Sequence, residues 1–293
     1  MSDDSSARDR LIERAEAWHV VVEDALETET SLIAYGQRAA QPVVLKVVKR
    51  PGDEWRSGEV LTEFDGRGVV RLYEHVPGAV LLERLVPGNS LVDLTVSGRD
   101  EEATAILASV VRAMTPPRPT TSSSNPPPTV HDWGKAFAWY AATGDQRISN
   151  VLVSRAHRLY DELCRSQANV RLLHGDLQHS NILFGQQRGW VAIDPKGVIG
   201  EAEYEIGASL RNPHEAPSVF TAPDTIERRI RQLASELDLD ATRVLGWAFA
   251  QAVLSAIWVV EDGATLDPRE PCIVLAETIE RMLPLFAPRD RSR

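Results

Sequence analysis

Leu173-His-Gly-Asp-Leu-Gln-His-Ser-Asn-Ile-Leu-Phe184, followed by Trp190-Val-Ala-Ile-Asp194, is the stretch from which the rest of the chain can be read. It sets an aspartate at 176, an asparagine at 181, a short apolar run, a turn, and a second apolar run that ends on Asp194. Phosphoryl transfer asks for that set of groups. One carboxylate orients the attacking hydroxyl and takes its proton, while oxygen donors hold Mg²⁺, a cation that prefers oxygen and keeps several waters. Asp176 is then the expected base, and Asn181 and Asp194 the expected metal ligands.

Two other readings use the same residues. His174-Gly-Asp176 can be a plain turn, with Asp176 capping a helix and Asn181 bonding backbone. A zinc site drawn from His174, His179, Asp176 and Asp194 is the second. The full twelve-residue segment with Asp194 behind it favours phosphoryl transfer over both. Compared with the protein-kinase layout, Gly175 stands where an arginine is usual, and Asp194-Pro-Lys196 where Asp-Phe-Gly is usual. Lys196 either faces phosphates or bonds locally.

Upstream, the β-branched run Val43-Val-Leu-Lys-Val-Val48 predicts a strand carrying one charge, Lys46. An ammonium in such a run needs a partner. Nucleotide phosphates and a helix carboxylate would serve, with Glu59 the first choice and Glu54 and Glu63 on the same expected helix, 53–64. Residues 8–27 show helical spacing, and strands are expected at 69–75 and 79–85. Leu81-Leu-Glu-Arg-Leu85 then leads to Pro87-Gly88, where backbone around Glu83 and Leu85 is placed to meet an adenine edge. Beyond 99, helices are expected at 100–114, 131–141, 147–167, 224–239, 241–261 and 274–286, with a Pro/Ser/Thr-rich surface loop over 116–129. The result is an α+β, two-lobed, protein-kinase-like fold. Residues 1–87 form its β-rich nucleotide-binding lobe, and 88–293 a mainly helical lobe for catalysis and acceptor binding.

Composition narrows the function classes. With 43% hydrophobic and 25% charged residues among 293, the chain reads as globular. A formal charge of −10 argues against a nucleic-acid partner and suits a cationic small molecule. No membrane span or signal segment is expected. Cys164 and Cys272 lack disulfide-scaffold or metal spacing, which points to a cytoplasmic home. A monomer or weak dimer is expected.

From about residue 28 to 287 the chain resembles the aminoglycoside/hydroxyurea antibiotic resistance kinases, on the side of the streptomycin 6-kinases, within the wider aminoglycoside phosphotransferase group. The resemblance rests on Val44-Leu-Lys-Val47, Phe64-Asp-Gly-Arg-Gly68, Leu82-Glu-Arg-Leu85 and His174-Gly-Asp176 with Asn181. Its most particular part is Ile193-Asp-Pro-Lys-Gly-Val-Ile-Gly-Glu201, continuing to Tyr204-Glu-Ile-Gly207 and Leu210-Arg-Asn-Pro213. It implies ATP and Mg²⁺ as cofactors, Asp176 as base, Asn181 and Asp194 as metal ligands, Lys46 on the nucleotide phosphates, and streptomycin or a related aminoglycoside as acceptor. A full G-x-G-x-x-G loop is missing from 28–40, where Gly36 stands alone.

The acceptor pocket is expected near the loop after Asp194 and the helices at 224–261. Glu201, Glu203, Glu205, Glu261 and Asp262 are its candidate carboxylates, and Trp133, Trp247 and Trp258 its candidate walls or core residues. A kinase of an endogenous sugar or other metabolite, a catalytically silent nucleotide binder on the same scaffold, and a metal-dependent hydrolase are the alternatives.

Overall fold

The computed structural model describes residues 2–114, 126–267 and 269–286. Most of the proline-rich loop expected at 116–129 lies outside them. Helix α1 (Ser2–Ala17) leads into a five-stranded antiparallel sheet of β1 (Val21–Glu27), β2 (Ser31–Arg38), β3 (Gln41–Val48), β4 (Leu72–Val76) and β5 (Ala79–Glu83), in the order β1-β2-β3-β5-β4. Between β3 and β4 run a 3-10 turn, Asp53–Arg56, and helix α2 (Ser57–Phe64). From Val43 onward strand β3 is covered on both sides, which is why this run, Lys46 apart, is apolar rather than alternating. Val43, Leu45 and Val47 pack with Leu11 and Ala15 of α1 and with Trp18 just beyond its end. On the other face, Val44 joins Val60, Leu61 and Phe64 of α2.

Then follow β6 (Pro87–Ser90), α3 (Val92–Val96), α4 (Asp100–Ala113), α5 (Val130–Thr143) and α6 (Asn150–Arg165). The site elements come next: β7 (Arg171–Leu173), β8 (Ile182–Gly185), β9 (Gly189–Ala192) and β10 (Val198–Gly200). They form a three-stranded sheet β6-β8-β9 and a two-stranded sheet β10-β7. Helices α7 (Ala202–Leu210), α8 (Pro217–Phe220), α9 (Pro223–Leu237), α10 (Ala241–Glu261) and α11 (Pro271–Phe286) complete a β-rich N-terminal and a helical C-terminal lobe. Lengthwise α10 is apolar enough to cross a membrane, but most of it is buried in the centre of this lobe. The apolar run that the sequence reading did not flag is therefore the core helix.

The helix expected over 8–27 ends at Ala17, and the rest becomes β1. His19 takes a left-handed turn at φ 56°, and the β-branched triplet Val20-Val21-Val22 then extends along β2, against which a helix could not pair. The expected helix over 53–64 is split, leaving Glu54 on the 3-10 turn and Glu59 on α2.

Candidate active site

The candidate catalytic segment around Asp176 is held from three sides. His174 is fully buried, and burial holds its ring pKa below the ordinary value, so the imidazole is neutral. Its Nε2–H donates to the Ile193 carbonyl at 2.8 Å, and Nδ1 receives the Asp176 N–H at 3.3 Å, a pattern that fixes the tautomer. Strand β9 is thereby pinned to the loop carrying Asp176. Behind them, Glu205 on α7 accepts the N–H groups of His174 (2.6 Å) and Gly175 (3.0 Å). Glu205 is buried, and that burial pushes its carboxyl up to about 7 despite the two N–H donors. From the third side, Lys196 and Gly197 each donate their N–H to the His174 carbonyl at 3.0 Å. Gly175 is required where it stands: φ is +81°, and a Cβ there would lie 2.8 Å from the Trp133 ring.

Asn181 Nδ2 donates to the Asp176 carbonyl at 2.9 Å, with the Asp176 carboxylate at 3.5 Å, so Asp176 and Asn181 meet. The Asn181 carbonyl accepts from the Ile193 N–H at 2.8 Å, which brings Asp194 alongside. Asp194 adopts φ 57°, a conformation that aspartate tolerates better than most residues. Its Oδ1 lies 2.9 Å from Lys46 Nζ, and Glu54 Oε2 lies 2.8 Å from the same nitrogen. Burial alone would lower the Lys46 pKa, but Asp194 and Glu54 outweigh it and hold the ammonium above its ordinary value. Lys46, Asp176, Asn181 and Asp194, scattered over 149 positions of sequence, thus share one cleft.

Glu59 is not the partner of Lys46. It faces outward and is engaged by Arg56, at 2.9 Å from Nε. The 3-10 turn, rather than the helix, delivers the carboxylate, and Thr30 Oγ1 (3.5 Å) from the β1–β2 turn and Ser31 Oγ (3.4 Å) at the start of β2 also reach Glu54. The zinc alternative also fails on geometry. Both His174 nitrogens are occupied, and no cluster of three metal-binding side chains occurs among the described residues.

Two cavities flank this centre. One, of about 290 Å³, is lined by Ile33, Val44, Lys46, Leu82, Glu83, Leu85, Ile193 and Asp194. Glu83 and Leu85 both border it, but the Glu83 N–H is spent on Arg71 and its carboxylate on Arg188 at 2.6 Å. The Leu85 N–H has no hydrogen-bond partner among the described residues, which makes it the donor available to a flat heterocycle. The other cavity, of about 630 Å³, opens on Asp176 and is walled by Trp133, Trp139, Trp258, Asp53, Glu261 and Asp262. Asp132 also borders it, committed to Thr129 in a capping box and to Lys135 at 2.7 Å. Asp53, Glu261 and Asp262 have no cationic partner among the described residues.

Expected pocket groups therefore divide. Trp133 and Trp258 meet edge to face, 5.9 Å apart, at the cavity wall, whereas Trp247 is wholly buried. Glu201 is buried and bound by Arg243 and Trp247, and Glu205 serves the catalytic loop, so neither faces an acceptor. Glu203 borders a different depression, beside Arg171 and Leu237. Sequence reading missed the positioning role of Glu205. Its only signal was a carboxylate inside the otherwise apolar run Tyr204-Glu-Ile-Gly-Ala208.

Comparison with known proteins bears on this cleft. The family described as aminoglycoside/hydroxyurea antibiotic resistance kinase matches residues 17–263. Streptomycin 3''-kinase of Klebsiella pneumoniae is 30% identical over 252 residues, 85% of this chain and 91% of that protein. Hydroxyurea phosphotransferase of Kitasatospora aureofaciens is 29% identical, over 84% of this chain and 75% of its own length. Among solved structures, a mutant of aminoglycoside phosphotransferase APH(4)-Ia in ternary complex with ADP and hygromycin B is similar. It gives a TM-score of 0.64 at 15% identity, covering 95% of this chain and 99% of its own. Choline kinase LicA from Streptococcus pneumoniae gives 0.59 at 14% identity, covering 95% and 99%. These structural likenesses show the protein-kinase-like fold.

Proposed function

Because the chain belongs to the aminoglycoside/hydroxyurea antibiotic resistance kinase family, whose phosphotransferases act on small-molecule hydroxyls, we propose that it transfers the γ-phosphoryl of ATP to a hydroxyl of a cationic acceptor, streptomycin or a related aminoglycoside. The observation that carries this reading is the meeting of Asp176 with the wall of a cavity that holds three carboxylates without cationic partners, Asp53, Glu261 and Asp262, beside three tryptophans. Carboxylates pair with guanidinium and ammonium groups, and the tryptophan faces attract the same cations.

Asp176 orients the acceptor hydroxyl and accepts its proton. The smaller cavity takes the nucleotide base against Val44, Leu82 and Ile193, with Leu85 N–H toward the ring edge. Lys46, held by Glu54 and Asp194, directs its third N–H to the phosphates. Asn181 and Asp194 fit Mg²⁺: the Asn181 amide nitrogen is turned to the Asp176 carbonyl, which leaves its oxygen as a donor, and Asp194 adds a partly exposed carboxylate. When bound, the ion would neutralise charge on the phosphates. In this reading residues 1–87 are the nucleotide-binding lobe, 88–293 carry the acceptor site, and the enzyme works in the cytoplasm.

The test is an acceptor panel of streptomycin, hygromycin B, hydroxyurea, choline and amino sugars, incubated with ATP and Mg²⁺ and read by mass spectrometry. A phosphorylated streptomycin-type product is expected. A product from an uncharged sugar alone would overturn the cationic acceptor, and release of free phosphate with no phosphorylated acceptor would overturn transfer itself.

A further inference from the structure

Lys196 lies where the two halves of the proposed reaction meet. It borders the acceptor cavity with Asp176, Trp133 and Trp258. It also borders a separate cavity of about 780 Å³ on the phosphate side, beneath the β1–β2 turn, with Thr30, Lys49 and Glu54. Asp53 and Asp262 are the other residues shared by both cavities, and both are acidic. Lys196 is thus the cation at the crossing.

Its backbone is fixed, and its ammonium is paired loosely with Asp176 alone among the described residues. The Lys196 N–H bonds the His174 carbonyl at 3.0 Å, which ties its Cα to the catalytic loop. Its Nζ lies 3.8 Å from Asp176 Oδ2, close enough for attraction but beyond hydrogen-bond range. Lys46, by contrast, spends two N–H groups on Glu54 and Asp194.

We infer that Lys196 is a catalytic residue that binds an equatorial oxygen of the phosphoryl group in flight while its charge stays beside Asp176. This rests on the reading of the cleft as a phosphoryl-transfer site. In the step, the acceptor oxygen bonds to the γ-phosphorus as the bond from that phosphorus to the bridging oxygen breaks. The hydroxyl proton passes to the Asp176 carboxylate, the bridging electron pair leaves with ADP, and Lys196 keeps all its protons. Charge on the transferring group is spread over its equatorial oxygens, so an ammonium there acts on the transition state more than on bound ATP.

The experiment compares wild type, Lys196→Met and Lys196→Arg by calorimetric binding of ADP alone and of ADP with aluminium fluoride, both with Mg²⁺, and by turnover with the best acceptor. Lys196→Met is expected to bind ADP within about twofold of wild type, to lose at least about tenfold in affinity for the fluoride complex, and to lose about 10²–10³ in kcat. Lys196→Arg should recover part of both losses. If wild type gains from the fluoride and Lys196→Met gains as much, the role of Lys196 is overturned while the reaction stands. If wild type itself binds the fluoride complex no more tightly than ADP, the transfer reading is overturned and this role with it. A general loss of ADP affinity and thermal stability in Lys196→Met, with the fluoride gain intact, would mark a local structural lysine and also overturn the proposal.

Discussion

Glu205 holds the backbone of the catalytic loop by two N–H groups, and its burial gives the protein an unusual acid response. Its carboxyl is raised from an ordinary 4.5 to about 7. The folded state therefore holds this proton more tightly, and the stability gained from it is present below about 4.5 and lost as pH rises to about 7. His174 and His179 act oppositely. Burial lowers both, His179 to about 3, so their contribution is present above 6.5 and lost as pH falls below it. Between pH 4.5 and 6.5 the slopes oppose each other. Removing the titrating group with Glu205→Gln should leave the histidine slope uncompensated, so the variant loses stability more steeply on acidification, by an amount on the order of 2–3 kcal/mol over that window. Urea unfolding at a series of pH values checks this, and parallel curves for the two proteins would contradict it. At this scale, Asp176, Asn181 and Asp194 were legible because their spacing lies within one stretch of chain. The partner of Lys46 was not, since three glutamates fall within ten residues and only the break between the 3-10 turn and α2 selects Glu54 over Glu59.

Among the elements, α5 and α10 build the wall of the proposed acceptor cavity. The first turn of α5 brings Trp133, held by the Thr129–Asp132 capping box, and the end of α10 brings Trp258, Glu261 and Asp262. Exposed carboxylates at a cavity mouth contribute modestly, roughly 0.2–1 kcal/mol per pair. The double change Glu261→Gln with Asp262→Asn should therefore raise KM for a cationic aminoglycoside several-fold, leave kcat nearly unchanged, and lose most of its effect at high salt. Steady-state kinetics at two ionic strengths test it, and an unchanged KM at low salt would place the acceptor elsewhere. Helices α4, α5, α6, α9 and α11 follow the periodicity of the sequence closely, because each buries one apolar face in a common core, whereas α10 is apolar and buried on nearly every side. Strand β1 was unreadable for the converse reason. It is an exposed edge strand, seven residues without a buried side chain, so no face of it is marked by pattern.

For the molecule as a whole, the cleft lies between an N-terminal lobe that supplies Lys46, Asp53 and Glu54 and a helical lobe that supplies Asp176, Asn181 and Asp194. The parallel bridge of Val69 to Ala192, with the N–H of Val70 on the Ala192 carbonyl at 2.8 Å, ties the two directly behind the site. In the proposed reading nucleotide and acceptor meet at this junction, so nucleotide binding and transfer should be separable by one change in the base. The decisive measurement compares wild type with Asp176→Asn, following nucleotide affinity by calorimetry and phosphorylated streptomycin by mass spectrometry. The variant is expected to bind nucleotide within about twofold of wild type while transfer falls by about 10²–10⁴ or more. Undiminished turnover in Asp176→Asn would contradict the account, because no other carboxylate that borders the acceptor cavity lies on the catalytic loop.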